Sequence, residues 1–308
     1  MNDAAPPELT AVAARIPLLD GADLAGARRL AGLTNVNHLV VTPDGPVVVR
    51  LPGTGTSEYI DRVAEGAAAR VAADAGVNAE LLFFDDTDGL MVTRFVEGAV
   101  TMDAARFTDL ASVSRAAVAF RTLHECGGRF ATDFVLFPMI DEYKGLLASK
   151  GATLPDGYDD VQAEAEAARG ALQAHPVLLV PCHCDPLCEN FLDTGERMYL
   201  IDYEYAGNND PMWDLGDLSV EGGFGPEQDD ALLRAYFDGD PPADQVGRMV
   251  VYKAMCDLLW TLWGVIQHVN DNPADDFWAY ATGRFERCRA LMASPEFATA
   301  IEAVRHAR

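Results

Sequence analysis

Three polar side chains in the second half of the sequence are of the types that phosphoryl transfer requires. The segment HCDPLCEN contains Asp185 and, five positions later, Asn190, and the segment IDYE contains Asp202. Phosphoryl transfer needs a carboxylate that orients or deprotonates the attacking hydroxyl, and oxygen ligands for the magnesium that neutralises the phosphates. We therefore predict that Asp185 is the catalytic carboxylate and that Asn190 and Asp202 bind magnesium. The alternative is an ordinary polar loop.

The elements before these residues predict a small sheet. Residues 8–30 carry apolar side chains at helical spacing around a break at Asp20-Gly21, which predicts helix. The segments GLTNVNHLVVTPDGPVVVRLPG and ELLFFDDTDGLMVTRFVEG each contain two apolar runs around a turn, which predicts two hairpins. A helix should lie between the hairpins, beginning beside Ser57 and Glu58 and ending at Gly76.

The remaining sequence is mainly helical in pattern. Two short apolar runs, VLLVPCH and RMYLIDYEY, interrupt it and flank the HCDPLCEN loop, and the last predicted helix surrounds DFWAYATGRFERCRAL. We therefore predict an α+β fold in which residues 1–98 form a small β-rich N-terminal lobe. Residues 99–308 should form a larger, mainly helical C-terminal lobe.

The charge of the chain restricts its partners. The 308 residues carry a formal net charge of −25, which would repel nucleic acid and anionic lipid and attract cations. The N-terminus lacks the basic start and apolar run of a secretory signal, and no segment reaches the roughly 20 apolar residues that span a bilayer. We expect a cytoplasmic protein that binds a small cationic molecule and neither nucleic acid nor membrane.

Three cysteines crowd around the predicted catalytic loop. Cys182, Cys184 and Cys188, together with His183, could suggest a zinc site. Zinc sites usually use paired ligands with a second pair further along the chain, and no clear second pair is visible. We expect the remaining cysteines, Cys126, Cys256 and Cys288, to be reduced. The sequence leaves a redox or metal role of the three crowded cysteines open.

Four ordered motifs resemble the choline/ethanolamine kinases, within the larger group of aminoglycoside-phosphotransferase-like kinases. These motifs are GLTNVNHLV, VVVRLPGTGTSEYIDRVAE, HCDPLCENFL and IDYEYAGNNDPMWDLG, and the resemblance extends from about Leu30 to Leu291. It implies a protein-kinase-like fold of two lobes with ATP and magnesium between them. The segment LPGTGTS lacks the G-K-[ST] ending of a P-loop and is better explained as a turn between strand and helix.

The resemblance also implies roles for residues of the N-terminal lobe. Arg50 matches the basic residue that contacts nucleotide phosphates, and Glu65 matches its ion-pair partner. The loop that covers the phosphates in the family is matched here by Gly32, Leu33, Thr34 and Asn35. The segment FVEG, at residues 95–98, matches the hinge that binds adenine through its backbone.

Aromatic residues indicate the substrate. A quaternary ammonium has no N–H to donate, so its recognition depends on aromatic faces and nearby carboxylates. Trp260 and Trp263 share one helical face and resemble the helix that lines the choline pocket of the family, although such a pair is commonly plain core. By the same resemblance Tyr280 and Trp213 belong to the pocket and Glu204 lies near the ammonium, whereas Asp214 has a structural role.

The sequence therefore predicts a kinase that transfers phosphate from ATP to choline. A kinase for ethanolamine, thiamine or an aminoglycoside is the nearest alternative, because one fold serves many acceptors. A catalytically silent binding module that senses a cation is the alternative from a different class. The sequence leaves the oligomeric state open.

Overall fold

A five-stranded antiparallel sheet forms the N-terminal part of the protein. The computed structural model describes residues 4–32, 35–53 and 60–307. Within the sheet the strand order is β1-β2-β3-β5-β4. The strands are β1 (Asp23–Leu30), β2 (Val36–Thr42), β3 (Gly45–Leu51), β4 (Leu81–Asp85) and β5 (Leu90–Arg94). Both predicted hairpins, β2–β3 and β4–β5, are confirmed.

Strand β3 lies in the middle of this sheet and presents different residues on its two faces. Val47, Val49 and Leu51 are buried in an apolar cluster with helix α1 (Pro7–Ala13). Successive side chains of a strand point to opposite faces, so Arg50 projects to the other side, where it is paired in register with Met91. Because neighbouring strands bond β3 on both edges, the position of Arg50 is well defined.

The prediction of helix over residues 8–30 is only partly correct. Helix α1 and a short 3₁₀ turn at Pro17–Leu19 form as expected, but the remainder is strand β1. The register of β1 against β2 shifts between Asp23 and Arg28. This irregularity interrupts the alternation of side chains, and as a result Leu24, Ala27 and Leu30 are half-buried at a spacing of three residues. That spacing imitates a helix in the sequence.

Helix α2 (Arg62–Asp74) lies between the two hairpins, as predicted. Its first turn is capped by Asp61, whose carboxylate accepts the N–H of Ala64 at 3.0 Å. The predicted start at Ser57 and Glu58 lies outside the described residues. Gly66 allows α2 to approach β4, because a Cβ atom there would lie 2.7 Å from the ring of Phe84.

Helices form most of the C-terminal part. They are α3 (Leu110–His124), α4 (Leu136–Ser149), α5 (Tyr158–Ala174), α6 (Met212–Glu221), α7 (Pro226–Phe237), α8 (Ala243–Val269), α9 (Phe277–Met292) and α10 (Pro295–Arg305). The sequence did not predict α6 or α10, so the expectation that the chain's last helix surrounds DFWAYATGRFERCRAL is wrong. Over the described part of the chain, α8 is the one helix long and apolar enough to cross a membrane, and 83% of its apolar window is buried inside the protein.

Short strands separate α5 from α6 and carry the loops of interest. Strands β6 (Val100–Thr101), β8 (Phe191–Asp193) and β9 (Met198–Leu200) form one small sheet, and β7 (Val180–Cys182) pairs with β10 (Gly207–Asn209). The loop between β7 and β8 contains Asp185 and Asn190, and Asp202 follows β9. The N–H of Leu200 donates to the carbonyl of Val77 at 3.0 Å, which joins this region to the end of α2. The α+β prediction is confirmed, and the division at residue 98 stays a prediction.

Candidate active site

The loop between β7 and β8 folds back on itself. The carbonyl of Asp185 accepts the backbone N–H of Leu187 at 2.9 Å and the side-chain amide of Asn190 at 3.0 Å. A 3₁₀ turn at Cys188–Asn190 completes the reversal. Because the amide nitrogen of Asn190 donates to this carbonyl, its amide oxygen is turned away from it and is available as a ligand. Asp185 and Asn190 are therefore brought together as their spacing predicts.

Buried hydrogen bonds also fix the loop between β7 and β8. Asp214, at the start of α6, accepts the backbone N–H groups of His183 at 2.7 Å and Cys184 at 2.8 Å. The ring of His183 bonds to the carbonyl of Ile201 at 2.8 Å and so ties the loop to the strand that precedes Asp202. Cys184 has a φ of 67°, a conformation that is unfavourable for a residue with a side chain. Asp214 therefore has a structural role, because its hydrogen bonds stabilise the backbone of the loop.

Trp213 does not line a pocket, in contrast to the prediction. Its side chain is fully buried and packs against Phe134 and Tyr252, with ring centroids 4.8 Å and 5.7 Å away. The indole N–H donates to the carbonyl of Cys184 at 3.2 Å. Trp213 thus supports the loop and has no exposed surface for a substrate.

The carboxyl group of Asp185 lies in an acidic environment. Burial raises its pKa well above the usual range, and the negative charges of Glu221 and Asp202 raise it further. A group in this state needs cations nearby before it can act as an anion at neutral pH. The site is therefore arranged to receive positive charge.

Arg50 connects β3 to α2 and to the segment after β9. It forms an ion pair with Glu65, donates to Asp202 Oδ1 at 3.1 Å and lies 3.4 Å from Glu204. It also donates to the carbonyl of Gly89 at 3.2 Å. The predicted pair of Arg50 and Glu65 is present, and it extends to the predicted metal ligand.

Glu204 lies on the N-terminal side of the site rather than beside the aromatic residues. It accepts hydrogen bonds from Arg62 at 2.8 Å and from Asn35 at 3.0 Å. The contacts that place it there come from the N-terminal lobe, so the predicted position near an ammonium does not agree with the structure. Arg62 also bonds to Glu65 at 2.7 Å. The sequence analysis missed Arg62, although its spacing of three residues before Glu65 was a visible signal.

Three carboxylates converge beside Arg50 and Arg62. Oxygen atoms of Glu65, Asp202 and Glu204 lie within 4.8 Å of one another. Burial, followed by the charge of Glu204, raises the pKa of Asp202 to about 7. Burial also acts to raise the pKa of Glu204, but Arg50 and Arg62 outweigh it and hold that pKa below its usual value. Magnesium prefers oxygen ligands of this kind, but Arg50 and Arg62 already bond to Glu65 and Glu204. Magnesium binding by Asp202 stays a prediction.

The predicted phosphate loop is described only in part. A Cβ atom on Gly32 would lie 2.4 Å from the carbonyl oxygen of Asn35, so a larger residue does not fit without a shift. Asn35 accepts the N–H of Gly53 at 3.0 Å through its side chain. Leu33 and Thr34 lie outside the described residues, and the contact of this loop with phosphates stays a prediction.

The predicted aromatic residues cluster on α8 and α9. The indole N–H of Trp263 donates to the hydroxyl of Tyr205 at 2.9 Å, and its ring lies edge-on to Tyr280 with centroids 5.7 Å apart. The ring of Trp260 lies 5.5 Å from that of Tyr205. Gly264 makes room for Tyr280, because a Cβ atom there would lie 2.7 Å from its ring. The sequence analysis missed Tyr205, whose place became visible only in the folded chain.

Acidic residues of α6 adjoin this aromatic cluster. Trp260 donates its indole N–H to Asp217 at 3.2 Å, and Glu221, one helical turn later, forms an ion pair with Arg284. The guanidinium of Arg284 lies over the ring of Tyr280, 4.8 Å from its centroid. The sequence analysis missed these three charged residues. The signal was the segment DLGDLSVE, in which acids recur on one face of a helix.

Five of the six cysteines are buried. All six are free thiols, and burial raises the pKa of Cys182 and of Cys184 well above the usual range. The pKa of Cys188 rises to about 12 by burial. Ligand atoms of His124, Cys182 and Asp214 lie within 4.8 Å of one another, but the Asp214 carboxylate is already bonded to two backbone N–H groups and His124.

Comparisons with known proteins identify the family of the chain. Residues 26–246 match the model of the phosphotransferase enzyme family. A choline/ethanolamine kinase family protein from Mesorhizobium loti is 53% identical, with a TM-score of 0.87 and coverage of 97% of this chain and 99% of that one. The choline kinase LicA from Streptococcus pneumoniae is 27% identical, with a TM-score of 0.76 and coverage of 93% and 97%.

A further relative is the protein LicA of Haemophilus influenzae. It is 26% identical over 278 residues, which are 85% of this chain and 78% of the relative. These likenesses confirm the predicted protein-kinase-like fold of two lobes and a phosphotransferase of the kinase type. The chain belongs to the phosphotransferase enzyme family and, within it, to the choline/ethanolamine kinase family.

Proposed function

We propose that this kinase transfers the terminal phosphoryl group of ATP to the hydroxyl of choline. The observation that carries the proposal is the cluster of Tyr205, Trp260, Trp263 and Tyr280 beside buried carboxylates. Aromatic faces attract a quaternary ammonium, which offers no hydrogen-bond donor. A related choline kinase LicA has been crystallised with AMP, which supports the use of an adenine nucleotide.

In this proposal the catalytic loop positions the acceptor. Asp185 accepts the proton of the acceptor hydroxyl and orients its oxygen for attack. The buried bonds from Asp214 to the loop hold Asp185 in place before the acceptor arrives. Rate enhancement then comes mainly from positioning and from neutralised charge.

The opposite side of the site would hold the nucleotide. Asn190 and Asp202 would bind magnesium, which neutralises phosphate charge when bound. Arg50, kept in position by Glu65, would contact the phosphates. The proposed location is the cytoplasm, where ATP and magnesium are both available.

The acceptor is the finer part of the proposal. Ethanolamine, thiamine and aminoglycosides also carry positive charge and a hydroxyl. A primary amine relies on carboxylate oxygens more than on rings, so the aromatic cluster favours choline.

Turnover of ATP with magnesium should be measured for choline, ethanolamine, thiamine and an aminoglycoside. The blank is Asp185→Asn, which should reduce turnover by at least about a hundredfold, because a positioned acid or base contributes that much or more. A matched control is Asp193→Asn, because Asp193, in β8, is a buried acid that pairs with Arg115 of α3. The control should keep its acceptor preference.

The outcomes separate the alternatives. Turnover that depends on choline and disappears in Asp185→Asn supports the proposal. Turnover with another acceptor alone keeps the kinase and rejects choline. Choline binding without turnover of any acceptor would identify a silent binding module.

A further inference from the structure

A cavity of about 560 Å³ lies between the end of α3, the start of α6 and the end of α7. Small-molecule sites have volumes of about 300–1,000 Å³. The described residues of its walls are distinct from those that bind the nucleotide or the acceptor in the proposed function. The side chains that decide its chemistry are Arg121, Glu125, Met212, Tyr236, Phe237 and Asp238.

Arg121 has no acidic partner in this cavity. It is half-buried, and its guanidinium donates to the backbone carbonyl of Tyr236 at 3.3 Å. Across residues 4–32, 35–53 and 60–307 no carboxylate forms an ion pair with it, although the chain has 48 acidic residues. By contrast, Arg115 on the same helix pairs with Asp193. Because a guanidinium binds a carboxylate in bidentate geometry, Arg121 is positioned to bind the carboxylate of a ligand.

Two carboxylates at the same cavity also have no cationic partner. Glu125, one helical turn after Arg121, and Asp238, just after α7, are exposed and line the cavity. Neither forms an ion pair within the part of the chain that the structure describes. The cavity therefore presents charges of both signs that do not neutralise one another by direct contact. A molecule that carries both a carboxylate and an ammonium group is complementary to both.

Apolar side chains form the rest of the wall that matters here. Pro211 and Met212, at the start of α6, line the cavity together with Phe237, which is half-buried. The ring of Phe237 lies edge-on to that of Tyr236, with centroids 5.0 Å apart. Apolar surface in a cavity of this size favours an apolar group on the ligand.

We propose that this cavity is a binding site for a small zwitterion with an apolar side chain, which is the chemistry of an apolar α-amino acid. The carboxylate of the ligand bonds to Arg121, and its ammonium faces Glu125 and Asp238. Its side chain packs against Met212 and Phe237. The site goes beyond the proposed function and does not depend on which acceptor the kinase phosphorylates.

Hydrogen bonds connect the cavity to the catalytic loop. Tyr236, which lines the cavity, bonds through its hydroxyl to His124 Nδ1 at 2.9 Å. His124 Nε2 bonds to Asp214 at 3.0 Å, and Asp214 accepts the backbone N–H groups of His183 and Cys184. A ligand shifts a conformational equilibrium toward the state that it binds better. A zwitterion that packs against Tyr236 therefore favours this arrangement of the loop and raises kcat.

Isothermal titration calorimetry on the whole chain tests the site with probes of similar shape. L-Phenylalanine carries both charges, 3-phenylpropionate lacks the ammonium and 2-phenylethylamine lacks the carboxylate. We expect L-phenylalanine to bind at least about tenfold more tightly than either, as for loss of one charge-assisted hydrogen bond. L-Leucine, with a different apolar side chain, should also bind. Excess choline should displace neither amino acid, because the acceptor site is elsewhere.

Substitutions in the cavity remove one charge at a time. Arg121→Gln keeps a donor for the Tyr236 carbonyl and should weaken binding of L-phenylalanine by about ten- to a hundredfold, with little effect on 2-phenylethylamine. The control is Arg129→Met, because Arg129 is an exposed arginine outside the cavity that pairs with Asp133. It should leave the binding of every probe unchanged.

Asp238→Asn tests the opposite side of the cavity. It should weaken L-phenylalanine and 2-phenylethylamine and spare 3-phenylpropionate. Asparagine tolerates the φ of 53° at this exposed position. This variant therefore decides the matter if Arg121→Gln does not fold, as judged by its melting temperature.

Steady-state kinetics with ATP and the acceptor that the kinase turns over test the connection to the loop. Saturating L-phenylalanine should raise kcat of the wild type by about fivefold, the lower end of common coupling between sites. It should not change kcat of Arg121→Gln at the same concentration.

Several results would overturn the inference. Failure of both amino acids to bind at up to about 10 mM, displacement by choline, or equal binding by Arg121→Gln refutes the site and leaves the proposed function intact. Binding without a change in kcat refutes the connection through Tyr236. An enzyme that phosphorylates no acceptor refutes the proposed function, and calorimetry alone then supports or refutes the site.

Discussion

Substitution of Asp214 by asparagine should both destabilise the protein and slow the reaction. Asp214 is fully buried, and its two oxygens accept three hydrogen bonds. Oδ1 accepts from Cys184, and Oδ2 accepts from His183 at 2.7 Å and from His124 at 3.0 Å. An amide has only one oxygen, so in Asp214→Asn an NH₂ group must face at least one buried N–H.

The magnitude follows from these bonds. An unsatisfied buried donor costs about 1–3 kcal/mol, and loss of charge on the remaining bonds adds about 1 kcal/mol. We expect the free energy of unfolding to fall by about 2–4 kcal/mol. Part of this energy no longer supports the conformation of Cys184, whose φ of 67° is unfavourable. The productive loop is less populated, and kcat should decrease by about ten- to a hundredfold.

Two measurements test this reasoning. Denaturant unfolding gives the change in stability, and steady-state kinetics on the folded fraction give kcat for choline and ATP. His124→Gln removes one of the three groups bonded to Asp214 and should change stability and kcat less than Asp214→Asn does. Asp193→Asn should lose stability and keep kcat. Asp214→Asn with reduced stability but unchanged kcat would refute the idea that Asp214 positions the loop. Wild-type stability would refute the hydrogen-bond argument itself.

Other consequences concern the nucleotide side. Arg50→Met should lower the free energy of unfolding by about 1.5–3 kcal/mol, because Glu65 loses one charge-assisted bond and keeps its bond to Arg62. It should also raise the KM for ATP, and unchanged kinetics would exclude a phosphate contact. The pKa of Asp202 is near 7. Protonation below pH 7 should therefore weaken magnesium binding by about tenfold per pH unit, and the affinity should be constant above pH 7. A magnesium affinity that does not change between pH 7 and pH 6 would contradict this. Gly32→Ala should raise the KM for ATP about tenfold, as for a strain near 1.4 kcal/mol, and leave that for choline unchanged.

The raised pKa of Asp202 also has a consequence for stability. Between pH 3.8 and about 7 the folded protein binds more protons at this group than the unfolded chain does. The contribution of Asp202 to stability is therefore present at low pH and declines as pH rises through this window. Asp202→Asn should reduce the decline, which unfolding measurements across the same pH range would detect.

Sequence alone determined the features that depend on neighbouring residues. The five-residue spacing of Asp185 and Asn190 suits a loop closed by its own hydrogen bonds, and those bonds form. Alternation along β3 separates Val47 and Val49 from Arg50, because successive strand residues point to opposite faces. These short-range rules predicted both hairpins and the loop, whereas the pair of Arg50 with Glu65 was implied by the family resemblance.

Only the tertiary structure decided the direction of several charged and aromatic side chains. Glu204 follows Asp202 closely in sequence, yet Arg62, from a distant helix, draws it to the N-terminal side. Trp213 is part of a recognisable motif, but the packing of α6 buries it completely. Asp217 on α6 meets Trp260 of α8 only after folding. The physical reason is that a side chain's orientation depends on which charges and surfaces arrive from distant segments, and no local pattern specifies that arrival.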